Sequence, residues 1–149
     1  MGFAYALAFG CGCGWLPASG TMGSLWGLPL ALITASVPPY LGLIGTALGV
    51  WVGWWACAKA YVFCGSVDHK AIVVDEVVGM WLALLFLPVH AGVYAAAFVL
   101  FRCLDIFKPW PISWCEYGFS RHHGVMMDDV AAGFVTNAVL SVWLHGSFV

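Results

Sequence analysis

Two pairs of adjacent carboxylates are the residues of this sequence best suited to chemistry. Asp75-Glu76 opens one long apolar stretch, and Asp128-Asp129 opens another. Neighbouring carboxylates at the edge of an apolar segment repel each other and lose hydration, and a divalent cation would neutralise them. Oxygen ligands of this kind suit Mg²⁺, Mn²⁺ or Ca²⁺. We therefore expect all four acids to form a metal site; the alternative is that they cap helix N-termini or form ion pairs.

A mixed group of charged residues lies between the two acidic pairs. Arg102 and Asp105 are three residues apart, which places them on one face of a helix. Lys108 follows, and Pro109 then ends that helix. Arg102 and Lys108 are suitable partners for a phosphate group. The alternative for both cations is that their long side chains reach from an apolar segment to the membrane interface.

Each acidic pair is followed by a glycine at helical spacing. Gly79 lies four residues after Asp75, and Gly133 lies four residues after Asp129. Residues four apart share a helix face, and glycine lets a neighbouring helix approach closely. We therefore expect the two helices to meet at these glycines, with the acids converging beside the contact; ordinary small-residue packing is the alternative.

The composition shows which class of protein must position these residues. Of 149 residues, only 8% are charged and 63% are hydrophobic. A soluble domain carries about 25% charged residues and could not bury this much apolar surface. A soluble enzyme, a disordered chain and a nucleic-acid-binding protein are therefore excluded. We expect one all-α integral membrane domain over residues 1–149.

Four apolar stretches are candidates for membrane helices: 21–37, 40–58, 77–101 and 130–149. About 20 apolar residues in a helix cross a hydrocarbon layer of about 30 Å. Pro38-Pro39 joins the first two stretches in a tight helical hairpin. Residues 1–20 are rich in glycine and predict an apolar segment that packs against the bundle. The sequence therefore predicts a polytopic bundle with about three to four spans.

The stretch 77–101 has two interpretations. Pro88 lies near its middle, and His90 and Gly92 follow, a cluster that breaks or kinks a helix. We expect a re-entrant helical hairpin, which requires a turn buried in protein. The hairpin would gather every Lys and Arg at one face, which is cytoplasmic by the positive-inside tendency. The alternative is a single span kinked at proline.

A small ion- or proton-coupled transporter is the alternative function from another class. Carboxylates near helix breaks are typical of such proteins. Transporter carboxylates usually lie near the middle of the membrane, however, whereas the acids of this chain lie at the ends of apolar stretches. The position of the acids therefore favours a site at the membrane surface.

Four blocks of the sequence resemble the phosphatidylglycerophosphatase A family. They are the glycine-rich segment 12–25, the segment 68–79 with Asp75-Glu76, the segment 101–112 with Arg102-x-x-Asp105-x-x-Lys108-Pro-Trp-Pro, and the segment 124–133 with Asp128-Asp129. The third block is the most specific. Two positions depart from the family pattern: Ser19 replaces a usual proline, and Arg121-His122-His123 replaces a glycine-rich approach to Gly124.

The resemblance implies a Mg²⁺-dependent, multi-pass enzyme of the bacterial inner membrane with its active site facing the cytoplasm. Such an enzyme hydrolyses the terminal phosphate of phosphatidylglycerophosphate and leaves the acyl chains among the membrane lipids. We expect Asp75, Glu76, Asp105 and Asp129 to act in catalysis. We expect Thr21, Ser24, Lys70, Arg102 and Lys108 to hold the phosphate or the glycerol. Water and a carboxylate both remain candidates for the nucleophile.

Overall fold

The computed structural model describes residues 2–64, 71–110, 112–118 and 121–146, and these ranges contain helices and no strand. The helices are α1 Gly2–Ala8, a 3₁₀ helix Gly10–Trp15, α2 Ser19–Ala35, α3 Pro39–Cys64, α4 Val74–Ala83, α5 Ala91–Phe107, α6 Ile112–Gly118 and α7 Arg121–Gly146. The prediction of an all-α protein is thus confirmed for the described residues.

The N-terminal segment packs against the bundle, as its glycines and apolar residues predicted. Ala8 is completely buried with Ala56 and Ala60 of α3. The Ala8 carbonyl accepts a hydrogen bond of 2.9 Å from the Val73 amide, directly before α4. A Cβ on Gly14 would lie 1.9 Å from the Ala71 carbonyl oxygen, so only glycine fits this approach. The segment therefore fixes the chain that enters α4.

Helices α2 and α3 form the tight hairpin that Pro38-Pro39 predicted. Pro39 is the first residue of α3, a position where its missing N–H costs no helical hydrogen bond. Within the described ranges, α3 is the one helix long and apolar enough to cross a bilayer, over Pro39–Val62. Many large apolar side chains are exposed on the helices, among them Ile33 at 61% and Trp51 at 64%. A surface of this kind is typical of contact with lipid.

The stretch 77–101 is two helices rather than one. α4 ends at Ala83, α5 begins at Ala91, and Pro88 lies in the connection. The His90 side chain accepts a hydrogen bond of 3.2 Å from the Gly92 amide and so caps the start of α5. The start of α4 and the end of α5 lie close together, because Glu76 of α4 and Arg102 of α5 both lie beside Gly20.

The connection between α4 and α5 differs from the buried turn that a re-entrant hairpin requires. Phe86 is 62% exposed and Val89 is 59% exposed. The connection also shares a cavity of about 540 Å³ with the α2–α3 turn, lined by Val37 on one side and Pro88 on the other. The connection is therefore exposed at Phe86 and Val89 rather than buried throughout, and it lies beside the α2–α3 turn.

Helix α4 is the centre of the molecule and packs against α2, α3 and α7. Seven of its ten residues are buried, including Asp75. A Cβ on Gly27 of α2 would lie 2.7 Å from the Val77 carbonyl oxygen, so the backbones of α2 and α4 approach each other closely at this point. At its far end, the Asn137 amide of α7 donates hydrogen bonds to the Ala83 and Leu85 carbonyls. Helix α4 is therefore held at both ends.

Candidate active site

A contact between two glycines sets the distance between α4 and α7. A Cβ on Gly133 would lie 2.5 Å from the Gly79 carbonyl oxygen, and a Cβ on Gly79 would lie 2.8 Å from the Asp129 carbonyl oxygen. The two backbones therefore touch, as the glycine spacing predicted. Asp75 and Asp129 each precede their glycine by about one helical turn, so the same contact brings their side chains together.

Three carboxylates meet at this contact, and we name Asp75, Glu76 and Asp129 the acid cluster. One oxygen of each residue lies within 4.8 Å of the others. Asp75 and Asp129 are each only 4% exposed, and Glu76 is half-buried. Among the described residues, the buried Oε2 of Glu76 and Oδ1 of Asp129 accept no hydrogen bond. Buried carboxylate oxygens are normally satisfied, so these two atoms point to a ligand.

Asp128 lies outside the acid cluster, although we expected it to share the metal. Its Oδ2 forms an ion pair with the Lys108 ammonium group. Its Oδ1 accepts a hydrogen bond of 2.9 Å from the Asp129 amide. Both oxygens of Asp128 therefore have partners, and the structure connects this acid to Lys108 rather than to the three clustered carboxylates.

The second acidic pair does not open a helix. α7 begins at Arg121, about two turns before Asp128, so this pair lies inside a helix although it opens an apolar stretch. A residue inside a helix cannot cap its N-terminus, and the capping alternative fails for Asp128 and Asp129. Asp75 and Glu76 do lie in the first turn of α4, where the helix dipole favours negative charge.

Arg102 brings positive charge to the acid cluster. Its guanidinium group forms an ion pair with Asp105, one turn further along α5. The same group lies 3.5 Å from the Ser24 hydroxyl oxygen, and Ser24 in turn donates a hydrogen bond of 2.8 Å to the Gly20 carbonyl. The structure thus brings Arg102, Asp105 and Ser24 together beside the acids, as expected.

Gly20 is a site residue that we did not predict. A Cβ at this position would lie 2.7 Å from Oε1 of Glu76 and 3.0 Å from both terminal nitrogens of Arg102. The backbone of α2 therefore enters the space between the acids and the guanidinium group. The signal was present in the sequence, because Gly20 belongs to the glycine-rich segment 12–25 and directly precedes Thr21.

Three further residues were expected to hold the phosphate or the glycerol: Thr21, Lys108 and Lys70. Thr21 follows Gly20 in the first turn of α2 and is half-buried. Lys108 ends α5 in the left-handed conformation, with φ of 42° and ψ of 55°, which turns the chain towards α6. Lys70 lies outside the described residues, so its expected contact with phosphate stays a prediction.

Comparisons with known proteins show the family of this chain. The model of the family described as Phosphatidylglycerophosphatase A matches residues 6–144. A protein of Escherichia coli K12 named Phosphatidylglycerophosphatase A is 38% identical over 91% of this chain and 80% of its own length. Its namesake in Haemophilus influenzae is 41% identical over 86% of this chain and 80% of its own length.

A third relative has a different name. The "Putative phosphatidylinositol-3-phosphatase" of Bacteroides thetaiotaomicron is 36% identical over 92% of both chains. No solved structure matched the chain. The matches favour a lipid phosphatase over a transporter and confirm the resemblance drawn from the four sequence blocks. The chain belongs to the phosphatidylglycerophosphatase A family.

Proposed function

We propose that this chain hydrolyses the terminal phosphate of phosphatidylglycerophosphate at the acid cluster and that the reaction depends on Mg²⁺. The products are phosphatidylglycerol and inorganic phosphate. Family membership supports the reaction. The observation that carries the choice of site is the meeting of Asp75, Glu76 and Asp129 within 4.8 Å, with Arg102 beside them.

The residues present fit a magnesium ion. All three members of the acid cluster offer oxygen ligands, which Mg²⁺ prefers at about 2.0–2.1 Å. Ligands on opposite sides of such an ion are about 4.2 Å apart, so oxygens within 4.8 Å need to move little. The unpaired oxygens of Glu76 and Asp129 would then gain a partner. When bound, Mg²⁺ neutralises charge on the phosphate and makes a water molecule more acidic.

The charge of the site also supports a bound cation. Its described part contains five carboxylates and two cationic side chains: Asp75, Glu76, Asp105, Asp128, Asp129, Arg102 and Lys108. Both cations are already paired with carboxylates, Arg102 with Asp105 and Lys108 with Asp128. A phosphate monoester adds further negative charge, which the protein alone would repel. A bound divalent ion would make the site able to accept this substrate.

The side chains of this protein would bind and orient the phosphate. Arg102 presents a planar group of donors suited to phosphate oxygens, and Asp105 holds it in place. Ser24 would contribute a hydroxyl group, and the start of α2, where Thr21 lies, would contribute backbone amides. Thr21 and Ser24 would thus hold the phosphate or the glycerol, as we expected. Lys108, held by Asp128, would also contact the phosphate or the glycerol.

We also propose that the protein crosses the bacterial inner membrane several times with this site facing the cytoplasm. Helices α2 and α3 would cross as a hairpin, and α4 with α5 would cross beside them, because the two turns share one cavity. The described charged residues from Asp75 to Asp129 then lie at one end of the bundle. This arrangement satisfies the positive-inside tendency.

An assay of the purified full-length protein tests the function. The protein in detergent would receive phosphatidylglycerophosphate, with Mg²⁺ or with EDTA, and released phosphate would be measured. We expect release that requires Mg²⁺ and a much slower reaction with phosphatidylinositol 3-phosphate, the lipid implied by the name of the Bacteroides relative. Absence of release in both conditions would contradict the function. Equal rates with EDTA would contradict only the metal.

A further inference from the structure

Phe101 connects the helix that carries Arg102 to the contact between α4 and α7. Its side chain is completely buried and is the largest of the fully buried side chains in the described part of the chain. A Cβ on Gly79 would lie 2.8 Å from Cε2 and Cζ of the Phe101 ring, and also 2.8 Å from the Asp129 carbonyl oxygen. The edge of the ring therefore lies in the space that the glycine leaves open, at the point where α4, α5 and α7 meet.

This contact shares a residue with the acid cluster. Asp129 is a member of the cluster, and its backbone forms part of the contact. Gly79 follows Asp75, a second member, by about one helical turn. The Phe101 ring therefore relates the position of α5 to both helices that carry the carboxylates, and a shift of the ring would move α5 relative to the cluster.

Arg102 follows Phe101 in α5, and successive residues of a helix point about 100° apart. The ring faces α4 and α7, whereas the guanidinium group reaches α2, where it lies 3.5 Å from the Ser24 hydroxyl oxygen. A Cβ on Gly20 would lie 3.0 Å from the same group. Its ion pair with Asp105 lies within α5, so this pair cannot set the distance of α5 from the acids.

We propose that Phe101 is a positioning residue, which places the Arg102 guanidinium group beside the acid cluster where it can bind the phosphate. The inference rests on the proposed function, in which Arg102 holds that phosphate. Protein interiors are close-packed and transmit small changes of volume, so the fit of the ring against Gly79 determines where α5 lies. A displacement of about 1 Å at a reacting centre can cost about 10²-fold in rate, so this fit affects how well the phosphate is held.

Phe101→Leu and Phe98→Leu are a matched pair of variants. Phe98 lies on α5 about one turn before Phe101 and packs against the same core, but the atoms nearest to a Cβ on Gly79 belong to Phe101 and Asp129. Phe101→Met is the conservative variant, because methionine is flexible and fills irregular gaps in a core. Thermal unfolding in detergent would compare the stability of all three variants.

The kinetic test separates phosphate binding from metal binding. We expect Phe101→Leu to raise KM for phosphatidylglycerophosphate and Ki for inorganic phosphate by about 10- to 100-fold, the cost of a displacement approaching 1 Å. The Mg²⁺ concentration for half-maximal activity should stay unchanged, because the contact of Gly79 with Gly133 still holds the acids. Phe98→Leu should change none of these values, and Phe101→Met should restore most of the affinity for phosphate. Equal effects of the two leucine variants, or an altered Mg²⁺ requirement without a change in KM, would overturn the proposal.

Chemical modification of Arg102 gives a measurement that does not depend on activity. Each full-length protein in detergent would be treated with phenylglyoxal, which reacts with guanidinium groups, and the Arg102 adduct would be measured by mass spectrometry. The Arg102 side chain is 17% exposed and paired with Asp105, so it should react slowly in the unsubstituted protein. We expect faster reaction in Phe101→Leu but not in Phe98→Leu or Phe101→Met.

The two measurements distinguish a failure of this inference from a failure of the proposed function. Equal rates of Arg102 modification in the unsubstituted protein and in Phe101→Leu would overturn the positioning role, whether or not the protein hydrolyses the lipid. Absence of phosphate release from the unsubstituted protein would instead contradict the proposed function.

Discussion

Asp128 and Asp129 are neighbours in the sequence but have different surroundings, because successive residues of a helix point about 100° apart. Asp129 shares a face with Gly133, the residue that touches α4, so its side chain joins the acid cluster. Asp128 points away from that contact and pairs with Lys108. A pair of acids that looks equivalent in the sequence thus divides into a candidate metal ligand and a positioning residue for a cation.

Matched substitutions of these two acids separate their roles. We expect Asp129→Asn to lower kcat by at least about 10²-fold and to raise the Mg²⁺ concentration needed for half-maximal activity, since a charged ligand is lost. Asp128→Asn should leave that Mg²⁺ concentration unchanged and raise KM, because Lys108 loses its partner. Phosphate release measured over a Mg²⁺ titration gives both quantities. A raised Mg²⁺ concentration for half-maximal activity in Asp128→Asn, with no such rise in Asp129→Asn, would reverse the assignment.

Gly20 allows a test of the site that is independent of charge. Alanine favours a helix over glycine by about 1 kcal/mol, so Gly20→Ala should not lower the melting temperature. Its Cβ would, however, lie 2.7 Å from Glu76 and 3.0 Å from Arg102 and would push these side chains apart. A displacement of about 1 Å at a reacting centre can cost about 10²-fold in rate, and we expect a loss of that order. Full activity in a stable Gly20→Ala variant would show that Gly20 does not border the reacting groups.

At the scale of helices, the sequence predicted the contact that forms the site but not the extent of the helices that make it. Asp75 is four residues from Gly79, and Asp129 is four residues from Gly133. Residues four apart share a helix face wherever the helix lies, so the sequence alone predicts this contact. The same rule places Asp129 on the face of Gly133, but we expected Asp128 to share the metal as well. The start of α7 at Arg121 was missed, because hydropathy falls in a polar segment even where the helix continues.

The α4–α7 contact itself can be tested with glycine substitutions. In Gly133→Ala, the new Cβ would lie 2.5 Å from the Gly79 carbonyl oxygen, a backbone atom that cannot move alone. We expect the helices to separate. The variant should lose about 1–3 kcal/mol of stability and most of its activity. Gly45→Ala on α3 is the control, because its Cβ would have nothing within 4 Å. Thermal unfolding in detergent and phosphate release would be measured for both; similar behaviour would mean that close packing at Gly133 is unimportant.

At the scale of the whole molecule, the described charged groups of the site gather at one end and the turns gather at the other. The starts of α2 and α4 and the end of α5 meet around Gly20, whereas the α2–α3 and α4–α5 turns share a cavity. The sequence predicted the first half of this arrangement from the segregation of charge. It did not predict that the α4–α5 turn lies beside the α2–α3 turn, because that position depends on how α4 packs between α2 and α7.

Single cysteines in a cysteine-free background test this arrangement with a membrane-impermeant maleimide. Cys64 and Cys115, retained one at a time, flank the acidic end of the bundle and should react only in inside-out vesicles of the inner membrane. Val37→Cys and Val89→Cys lie at the two turns and should react only from the opposite side, since both residues line the same cavity. Phosphate release by each variant controls for correct folding. Labelling of Cys64 and Cys115 from opposite sides would indicate a single kinked span. A Val89→Cys variant that reacts from neither side, while Val37→Cys reacts, would instead place the α4–α5 turn inside the membrane.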